Sequence, residues 1–403
     1  MRRNEMSKII AVNAGSSSLK FQLFEMPQEK VLTSGIAERI GLEMGIFTIK
    51  VDGQKFTKDL PIKDHATAVQ LLLDALIEHK IVHDLKEING AGHRIVQGGA
   101  YFDQSVKVDD DVVAKVDELC DLAPLHNPAH LVCYRAFKEA LPEIGHVFVF
   151  DTAFHQTMGP ESYMFPVPME WYTDYKVRRY GAHGTSHQYV SQRTAELMGK
   201  DVKELNQITC HLGNGASITA IKGGKCINTS MGLTPLGGIM MGTRSGDLDP
   251  TVVFYMMKKL GCTPDDMDTY LNKKSGMLGI SGISSDARDV EKAASEGNER
   301  AILTQKLYVN RVINVLGGYV MQLGHVDSIS FTAGLGENDT NMRRMILEKL
   351  EEPLGLVIDY DKNAKIRGEE CLISKPDSKV AVYIIPTNEE VVIARDTQRL
   401  LGL

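Results

Sequence analysis

Two stretches of this chain, one in each half, are laid out alike. Ile9-Ile10-Ala11-Val12-Asn13-Ala14-Gly15-Ser16-Ser17-Ser18-Leu19 reads as an apolar strand, a turn of small residues and the start of a second strand. Ile208-Thr209-Cys210-His211-Leu212-Gly213-Asn214-Gly215-Ala216-Ser217-Ile218 repeats that plan. On shape alone any two hairpins resemble each other. What marks these is that both turns are rich in Gly, Ser and Asn, whose exposed N–H and hydroxyl groups suit phosphate oxygens. One such hairpin per half predicts two similar halves facing each other across a cleft, each able to hold one end of a polyphosphate.

Strand-like and helix-like stretches alternate along the 403 residues with no low-complexity linker between them, which predicts an α/β architecture. At roughly 150 residues per domain the length suits two or three domains. Val69, Leu72, Leu73, Leu76 and Ile77 carry the helical period within Asp64–Ile81, with Asp64 as cap. Asp249, Pro250 and Gly261 frame a helix over Pro250–Leu260 as N-cap, first residue and stop. HVFVF at 146–150 is a buried-strand run ending on Asp151. Ser328–Ala333 reads as a strand entering a glycine loop, with a helix following from about Asn341 to Leu350.

Composition narrows the partners. With 45 Lys+Arg against 52 Asp+Glu the net charge is −7, so no basic stripe for nucleic acid or anionic membrane is expected. No apolar run reaches the roughly 18 residues of a membrane span. MRRNEMSKIIAVN lacks the apolar core of a secretory signal, and Met6 is expected to be the natural start. Six scattered cysteines without a CxxC pair predict reduced thiols and a cytoplasmic protein.

Several segments carry groups suited to anions. In Asn13–Lys20 (NAGSSSLK), Gly15 permits a tight turn, the hydroxyls of Ser16 and Ser18 can donate, and Lys20 adds a point charge; an ordinary solvated turn reads the same way. Nothing matches GxxxxGK[ST], and no GxGxxG opens a helix. Arg94 ends a short apolar strand and Arg244 is the one cation of GGIMMGTRSGDLD, both placed to grip carboxylate or phosphate, with a surface ion pair as the alternative. Asp247 and Asp249 read as caps. His126 and His130, like His183 and His187, have the i,i+4 spacing of metal ligands, but Pro128 and Gly184 interrupt the pairs and the HExxH glutamate is missing. His187 is expected in the first turn of a helix capped near Thr185, leaving His183 in the preceding loop as a donor to phosphoryl oxygen. Asp151 at a strand end, and Glu389 and Glu390 before a final helix, are hard oxygen ligands suited to Mg²⁺, although the glutamates equally suit a helix N-terminus. Asp109–Asp111 reads as a solvated loop. TAGLGEN at 332–338 offers close backbone approach to a flat ring or a phosphate, and Asp286 and Arg288 could hold ribose or a base edge.

Together these segments resemble the acetate kinase family over the chain from Ser7 onward. The matching strings are NAGSSSLK (13–20), HRIVQGG (93–99), PLHNPAH (124–130), FDTAFH (150–155), HGTSH (183–187), HLGNGAS (211–217), MGTRSGDLDP (241–250), TAGLGEN (332–338) and PTNEE (386–390). The resemblance implies two duplicated ribonuclease-H-like domains of the actin, heat-shock 70 and sugar kinase type with ATP in the cleft between them. Residues 1–152 with 387–403 would form the acyl side and 153–386 the nucleotide-binding, dimerising side. It implies transfer of phosphate from ATP to acetate with Mg²⁺, Mn²⁺ as a substitute, in a homodimer. Asn13 and Glu389 would associate with the metal, while Ser16, Ser18 and Lys20 would line the phosphate path. His211, Leu212, Gly213, Asn214 and Gly215 would contact ATP, as would Asp286, Ala287 and Arg288, and Gly334, Leu335, Gly336, Glu337 and Asn338. Arg94 and Arg244 would bind the carboxylate and the transferred phosphoryl group, assisted by His183, with Asp151 as an orienting or metal-water residue. Val96, Leu125 and Pro235 would enclose the acyl methyl.

Two positions depart from the family's pattern. Ala182 stands where an aromatic residue usually precedes the active-site histidine, and Ala287 where a bulkier residue is common. Lost bulk at Ala182 predicts readier acceptance of propionate, making a propionate or broad short-chain acyl kinase the near alternative. A non-acyl ATPase of the same fold is the remote one, and a metal hydrolase built on the histidine pairs is weaker still.

Overall fold

Alternation of strand and helix resolves into two sheets in two compact units. A computed structural model describes residues 6–124 and 126–403. The first unit runs to Phe154 and takes back Asn388–Leu403; the second is His155–Thr387.

The first unit's strands are β1 Ser7–Ala14, β2 Ser18–Met26, β3 Lys30–Glu38, β4 Gly45–Val51, β5 Gln54–Leu60, β6 Ile88–Ile95, β7 Val106–Lys107 and β8 Gly145–Phe150. They lie in the order β5-β4-β3-β2-β1-β6-β8-β7. The second unit contains β9 Asn206–Leu212, β10 Ala216–Lys222, β11 Lys225–Thr229, β12 Ser328–Thr332, β13 Cys371–Leu372 and β14 Ala381–Ile384, ordered β11-β10-β9-β12-β14-β13. In each unit a three-stranded antiparallel meander continues into two parallel strands, as β3-β2-β1-β6-β8 and as β11-β10-β9-β12-β14. The hairpin echo in the sequence is therefore the visible part of a repeated sheet plan.

Helices cover the sheets where their apolar stripes dictate. In the first unit, α1 (His65–Glu78) and α3 (Asn127–Ala140) bury Leu72, Leu73, Leu76 and Phe137 against Ile10, Val12, Leu19 and Phe21, while α2 (Asp110–Glu118) packs beside α3. Asp64 caps α1 as expected, accepting from the Thr67 amide. Ile77, at the margin of the stripe, is 40% exposed rather than buried. Asp109 is the N-cap of α2, its carboxylate accepting from the Val112 amide at 2.9 Å, so the Asp109–Asp111 run is a helix start and not a loop. Pro128 likewise starts α3 instead of interrupting it, because proline lacks only an amide that the first turn leaves unbonded.

The helix Glu389–Leu401 covers the opposite face of β1, β6 and β8. It docks closely because Gly92 has no side chain: a Cβ there would stand 2.3 Å from Thr397 Oγ1. This close approach seats the helix on the sheet, with Glu389 and Glu390 in its first turn.

The second unit holds α4 (Gly184–Met198), α5 (Pro250–Leu260), α6 (Ala287–Ser295), α7 (Glu299–Leu323), α8 (Ala333–Asn338) and α9 (Thr340–Leu347). Tyr308, Val312, Leu316, Tyr319 and Leu323 of α7 form its buried stripe. Among the described residues no helix is long and apolar enough to cross a membrane.

Candidate active site

In the first unit, parallel strands deliver polar residues to one sheet edge, where α/β sheets bind ligands. Asn13 lies near the end of β1, Arg94 near the end of β6, and Asp151 directly after β8. Arg94 meets the fully buried Asp151 as a fork, Nε donating to Oδ1 at 2.8 Å and Nη2 to Oδ2 at 2.6 Å, and Nη1 donates to Asn13 Oδ1 at 3.2 Å. Burial alone would lower the Arg94 pKa. The charge and hydrogen bonds of Asp151, with the charges of Glu389 and Glu390, outweigh it and raise the guanidinium well above its usual value. Glu389 and Glu390 open the last helix, whose cap is Asn388, accepting from the Val391 amide at 3.1 Å.

The first hairpin turn is closed by the Gly15 amide on Ser18 O at 2.7 Å and fastened by His65 Nε2 on Gly15 O at 2.8 Å. Ser16 and Lys20 are exposed beside it, and Ser18 is half-buried. Val96 is buried after β6. Its successor Gln97 exchanges backbone hydrogen bonds with the Asn127 side chain at 3.1 and 3.0 Å, tying the strand end to α3. Leu125 lies outside the described residues.

In the second unit, His183 and Arg244 approach the turn of the second hairpin. A Cβ on Gly215 would be 3.3 Å from Arg244 Nη1 and 3.6 Å from His183 Nε2. Arg244 donates to Pro235 O at 3.3 Å and has no carboxylate partner among the described residues; burial lowers its pKa, with no counter-charge to offset the loss of water. A half-buried guanidinium without an anion bears a desolvation cost that an incoming anion would offset.

His183 is the residue before α4, at φ 59°, and caps nothing with its side chain. The helix begins at Gly184, ahead of the expected cap near Thr185, and the His183 side chain is engaged elsewhere, its Nδ1 lying 2.8 Å from Ser217 Oγ. Left-handed backbone at a non-glycine residue costs about 1–3 kcal/mol and gathers at functional sites. The His183 ring stacks on His211 at 4.0 Å between centroids. Ala182 is buried, its carbonyl accepting from His155 Nε2 at 2.9 Å. Among the described residues no three His, Cys, Asp or Glu side chains form a metal cage.

A cavity of about 580 Å³ also lies in the second unit, within the range for a cofactor-sized ligand. Gly213 and Asn214 reach it from the β9–β10 turn, Asp286, Ala287 and Arg288 from the start of α6, and Gly334, Leu335 and Asn338 from α8. Gly242 closes in beside Asn214, where a Cβ would sit 1.9 Å from the Asn214 Oδ1. Asp286 caps α6 and pairs with Arg288, Nε to Oδ1 at 3.0 Å; that side-chain hydrogen bond holds its carboxyl at about 2. His211 and Leu212 end β9, and Gly215 completes the turn behind the cavity lining.

TAGLGEN is itself mostly helix, α8, rather than the expected loop. Its Ala333 stands at φ 64°, held there by the Glu337 carboxylate, which accepts from the Ala333 amide at 2.7 Å and from the Thr387 amide at 3.2 Å. Glu337 and Gly336 thus serve the backbone and do not line the cavity. Gly336 O accepts from Arg343, a fully buried residue that also donates to Asn363 and to Ile366 O. Arg343 thereby braces α8 against the segment carrying Arg367, which joins the lining together with Asp339 and Glu291. Burial raises both of those carboxyls. Local sequence patterns flag none of Arg343, Arg367, Asp339 or Glu291, while Gly242 had a signal in the glycine-rich run around Arg244.

The profile of the Acetokinase family matches residues 8–395. The acetate kinase of Geobacillus kaustophilus is 55% identical over 398 residues, spanning 99% of this chain and 100% of that protein. The crystal structure of Porphyromonas gingivalis acetate kinase superposes with a TM-score of 0.94 at 44% identity, covering 98% of this chain and 100% of that one. A propionate kinase from Francisella tularensis gives 0.92 at 41% identity over 98% and 100%.

Proposed function

Because the chain belongs to the acetokinase family, we propose acetate kinase activity as its function: reversible transfer of the γ-phosphoryl group of ATP to acetate, giving acetyl phosphate and ADP. The observation that carries this reading is the 55% identity to an acetate kinase across 99% of the chain. The enzyme is a phosphotransferase with a carboxyl acceptor, and its substrates are all anions.

A carboxylate nucleophile carries no proton at neutral pH, so the reaction needs no strong base. The barrier lies in bringing two anions together, and the remedy is positioning with cations on the transferring oxygens. Arg244, desolvated and lacking an ion pair, takes the transferred phosphoryl group, with His183 donating beside it. Arg94 grips the carboxylate, and the fork that Asp151 makes with it supports an orienting role for Asp151. Ser16, Ser18 and Lys20 line the phosphate path. The second unit's cavity takes the nucleoside, with His211–Gly215 nearer the phosphates.

Hard oxygen donors cluster around Arg94, since Asn13 Oδ1 bonds it and the charges of Glu389 and Glu390 act on it. That donor set fits Mg²⁺, or Mn²⁺ in its place, which keeps most of its waters and uses few protein ligands. Asn13 and Glu389 would hold the ion, which neutralises phosphate charge when bound.

Val96, Leu125 and Pro235 bound the methyl group, and Ala182 leaves room for longer acids. A short-chain acyl range including propionate is the second reading, favoured by the small side chain at Ala182 and by the propionate kinase likeness at 41% identity. The partner in solution is a second copy of the chain, docked through the second unit. The six cysteines, all free thiols, suit the cytoplasm.

Hydroxylamine trapping of acyl phosphate with ATP, Mg²⁺ and acetate, propionate or butyrate tests both readings. Acetyl hydroxamate is expected, with propionyl hydroxamate within about two orders of magnitude in kcat/KM, since one methylene discriminates only 10–200-fold. No product with any acid would overturn the assignment, and a steeper preference for acetate would remove Ala182 from the acyl pocket.

A further inference from the structure

Four hydroxyl and imidazole groups inside the second unit form a single file. Thr209 Oγ1 lies 2.6 Å from His187 Nδ1, His187 Nε2 lies 2.8 Å from Ser217 Oγ, and Ser217 Oγ lies 2.8 Å from His183 Nδ1. Thr209, His187 and Ser217 are all fully buried. Each hydroxyl and each neutral imidazole has one proton to give, and among the described residues Ser217 Oγ has no partner outside the file to take its proton, so the three bonds point the same way along the file.

Two directions are open. Running from His183 toward Thr209, the Thr209 hydroxyl is the last member and must give its proton elsewhere, yet His187 is its only hydrogen-bond partner among the described residues. A buried donor left unmade costs its full desolvation. Running from Thr209 toward His183, Thr209 donates to His187 Nδ1, His187 Nε2–H to Ser217 and the Ser217 hydroxyl to His183 Nδ1, with no donor wasted.

We infer that Ser217 is a positioning residue, whose hydroxyl ends a one-way relay from Thr209 and holds His183 as the neutral tautomer with its proton on Nε2. A second file has the same sense. Thr387 donates to Ser186 Oγ at 2.8 Å, leaving the Ser186 proton for His211 Nδ1 at 2.8 Å. The stacked rings of His183 and His211 therefore both carry Nε2–H. For His183 that edge faces the Gly215 turn beside Arg244. The neighbours of His183 are Arg244 beside the Gly215 turn, His211 against the ring, and His187, kept neutral by burial with His155 and His211 adding to that effect. An imidazolium would have to reverse all three bonds of the relay. The consequence for catalysis, a fixed N–H donor to a transferring oxygen rather than a proton carrier, rests on the role proposed for His183.

The test begins with the wild-type protein labelled with ¹⁵N-histidine and free of nucleotide. Long-range ¹H–¹⁵N correlation, with the His183 signals assigned by their loss in His183→Asn, is expected to show Nε2 protonated and Nδ1 bare at pH 7. An Nδ1–H tautomer or an imidazolium would overturn the relay. In Ser217→Ala the His183 signals are expected to become a tautomer mixture, with kcat down at least tenfold and the KM values for ATP and acetate within about twofold. Ser217→Thr, which keeps the hydroxyl, is expected to restore both readouts. Unchanged His183 signals in Ser217→Ala would overturn the proposal. A scrambled tautomer with undiminished kcat would uphold the relay and remove His183 from the reaction.

Discussion

Asp151 holds Arg94 by both prongs of its guanidinium, Nε to Oδ1 at 2.8 Å and Nη2 to Oδ2 at 2.6 Å, and the carboxylate is fully buried. Strand register builds the pair: β6 and β8 run parallel with Ile95 opposite Phe150, and the Asp151 amide bonds Ile95 O at 2.9 Å. Neither side chain can turn without stranding the other.

Asp151→Asn keeps the shape and removes the charge. An orienting role for Asp151 then predicts a kcat at least 10²-fold lower, because a misplaced guanidinium costs that order in rate. Stability should also fall by roughly 3–5 kcal/mol, the cost of breaking one side of a buried pair. Denaturant titration and steady-state rates check both. Normal turnover in a destabilised protein would make the pair purely structural.

The α5 helix is apolar in sequence, PTVVFYMMKKL, yet buries none of its residues; Phe254 is 62% exposed and Tyr255 57%. It is well formed, capped by Asp249 and stopped by Gly261 at φ 63°. An exposed apolar stripe of this kind marks an interaction surface, which a second copy of the chain would cover. Phe254→Asp is expected to shift the protein from dimer to monomer in sedimentation velocity. A wild-type monomer, or an unaltered dimer in the variant, would remove α5 from the interface.

What was legible in the sequence was what local chemistry decides. The two hairpins, the Asp249–Gly261 frame of α5 and the strand-end positions of Arg94 and Asp151 follow from turn residues, caps and apolar runs. What was not legible is set by distant contacts. TAGLGEN reads as a loop because glycine is a poor helix former; it is helical because Glu337 and Arg343 pin its two sides. Thr209 and Ser217 look like ordinary strand residues until His187 is placed between them. The departures at Asp109 and Pro128 are of another kind, since both are helix-start residues read as breaks.

Acid should destabilise the first unit before its carboxylates titrate. His93 Nε2 lies 3.0 Å from His146 Nδ1 in the core. Burial, with Lys138, pushes His146 from 6.5 down to about 4, and burial also lowers His93 and His130. These groups bind protons more readily unfolded, so their contribution is fully present above about pH 6.5 and lost as pH falls from there toward 4. His146 alone accounts for roughly 3 kcal/mol over that range. In the same unit the carboxylate of Glu87, held at about 2 by the hydrogen bond from Lys8, acts only below about pH 4.5 and leaves this window to the histidines. Urea titrations at pH 7, 6 and 5 are expected to show the loss, and His146→Gln to flatten part of it. A stability unchanged from pH 7 to 5 would refute it.

Arg244 is the counterpart of Arg94 with the compensation left out. Arg94 has Asp151, whereas Arg244 has a backbone carbonyl at 3.3 Å and Met241 Sδ at 3.8 Å, and burial lowers its pKa with nothing to restore it. A desolvated, unpaired cation costs stability in the free protein and recovers that cost when an anion arrives. Arg244→Met should therefore leave the thermal midpoint unchanged or raise it, while kcat falls by at least 10³-fold. Arg244→Lys should lose most of the rate as well, because a point charge cannot replace the planar fork. Adding ATP or acetyl phosphate should raise the midpoint of the wild type more than that of Arg244→Met, since ligand stabilisation follows affinity for the folded state. Differential scanning calorimetry with and without each ligand separates the cases. A clear loss of stability in Arg244→Met without ligand would mean that Arg244 serves the fold, and near-normal turnover in either variant would remove it from the reaction.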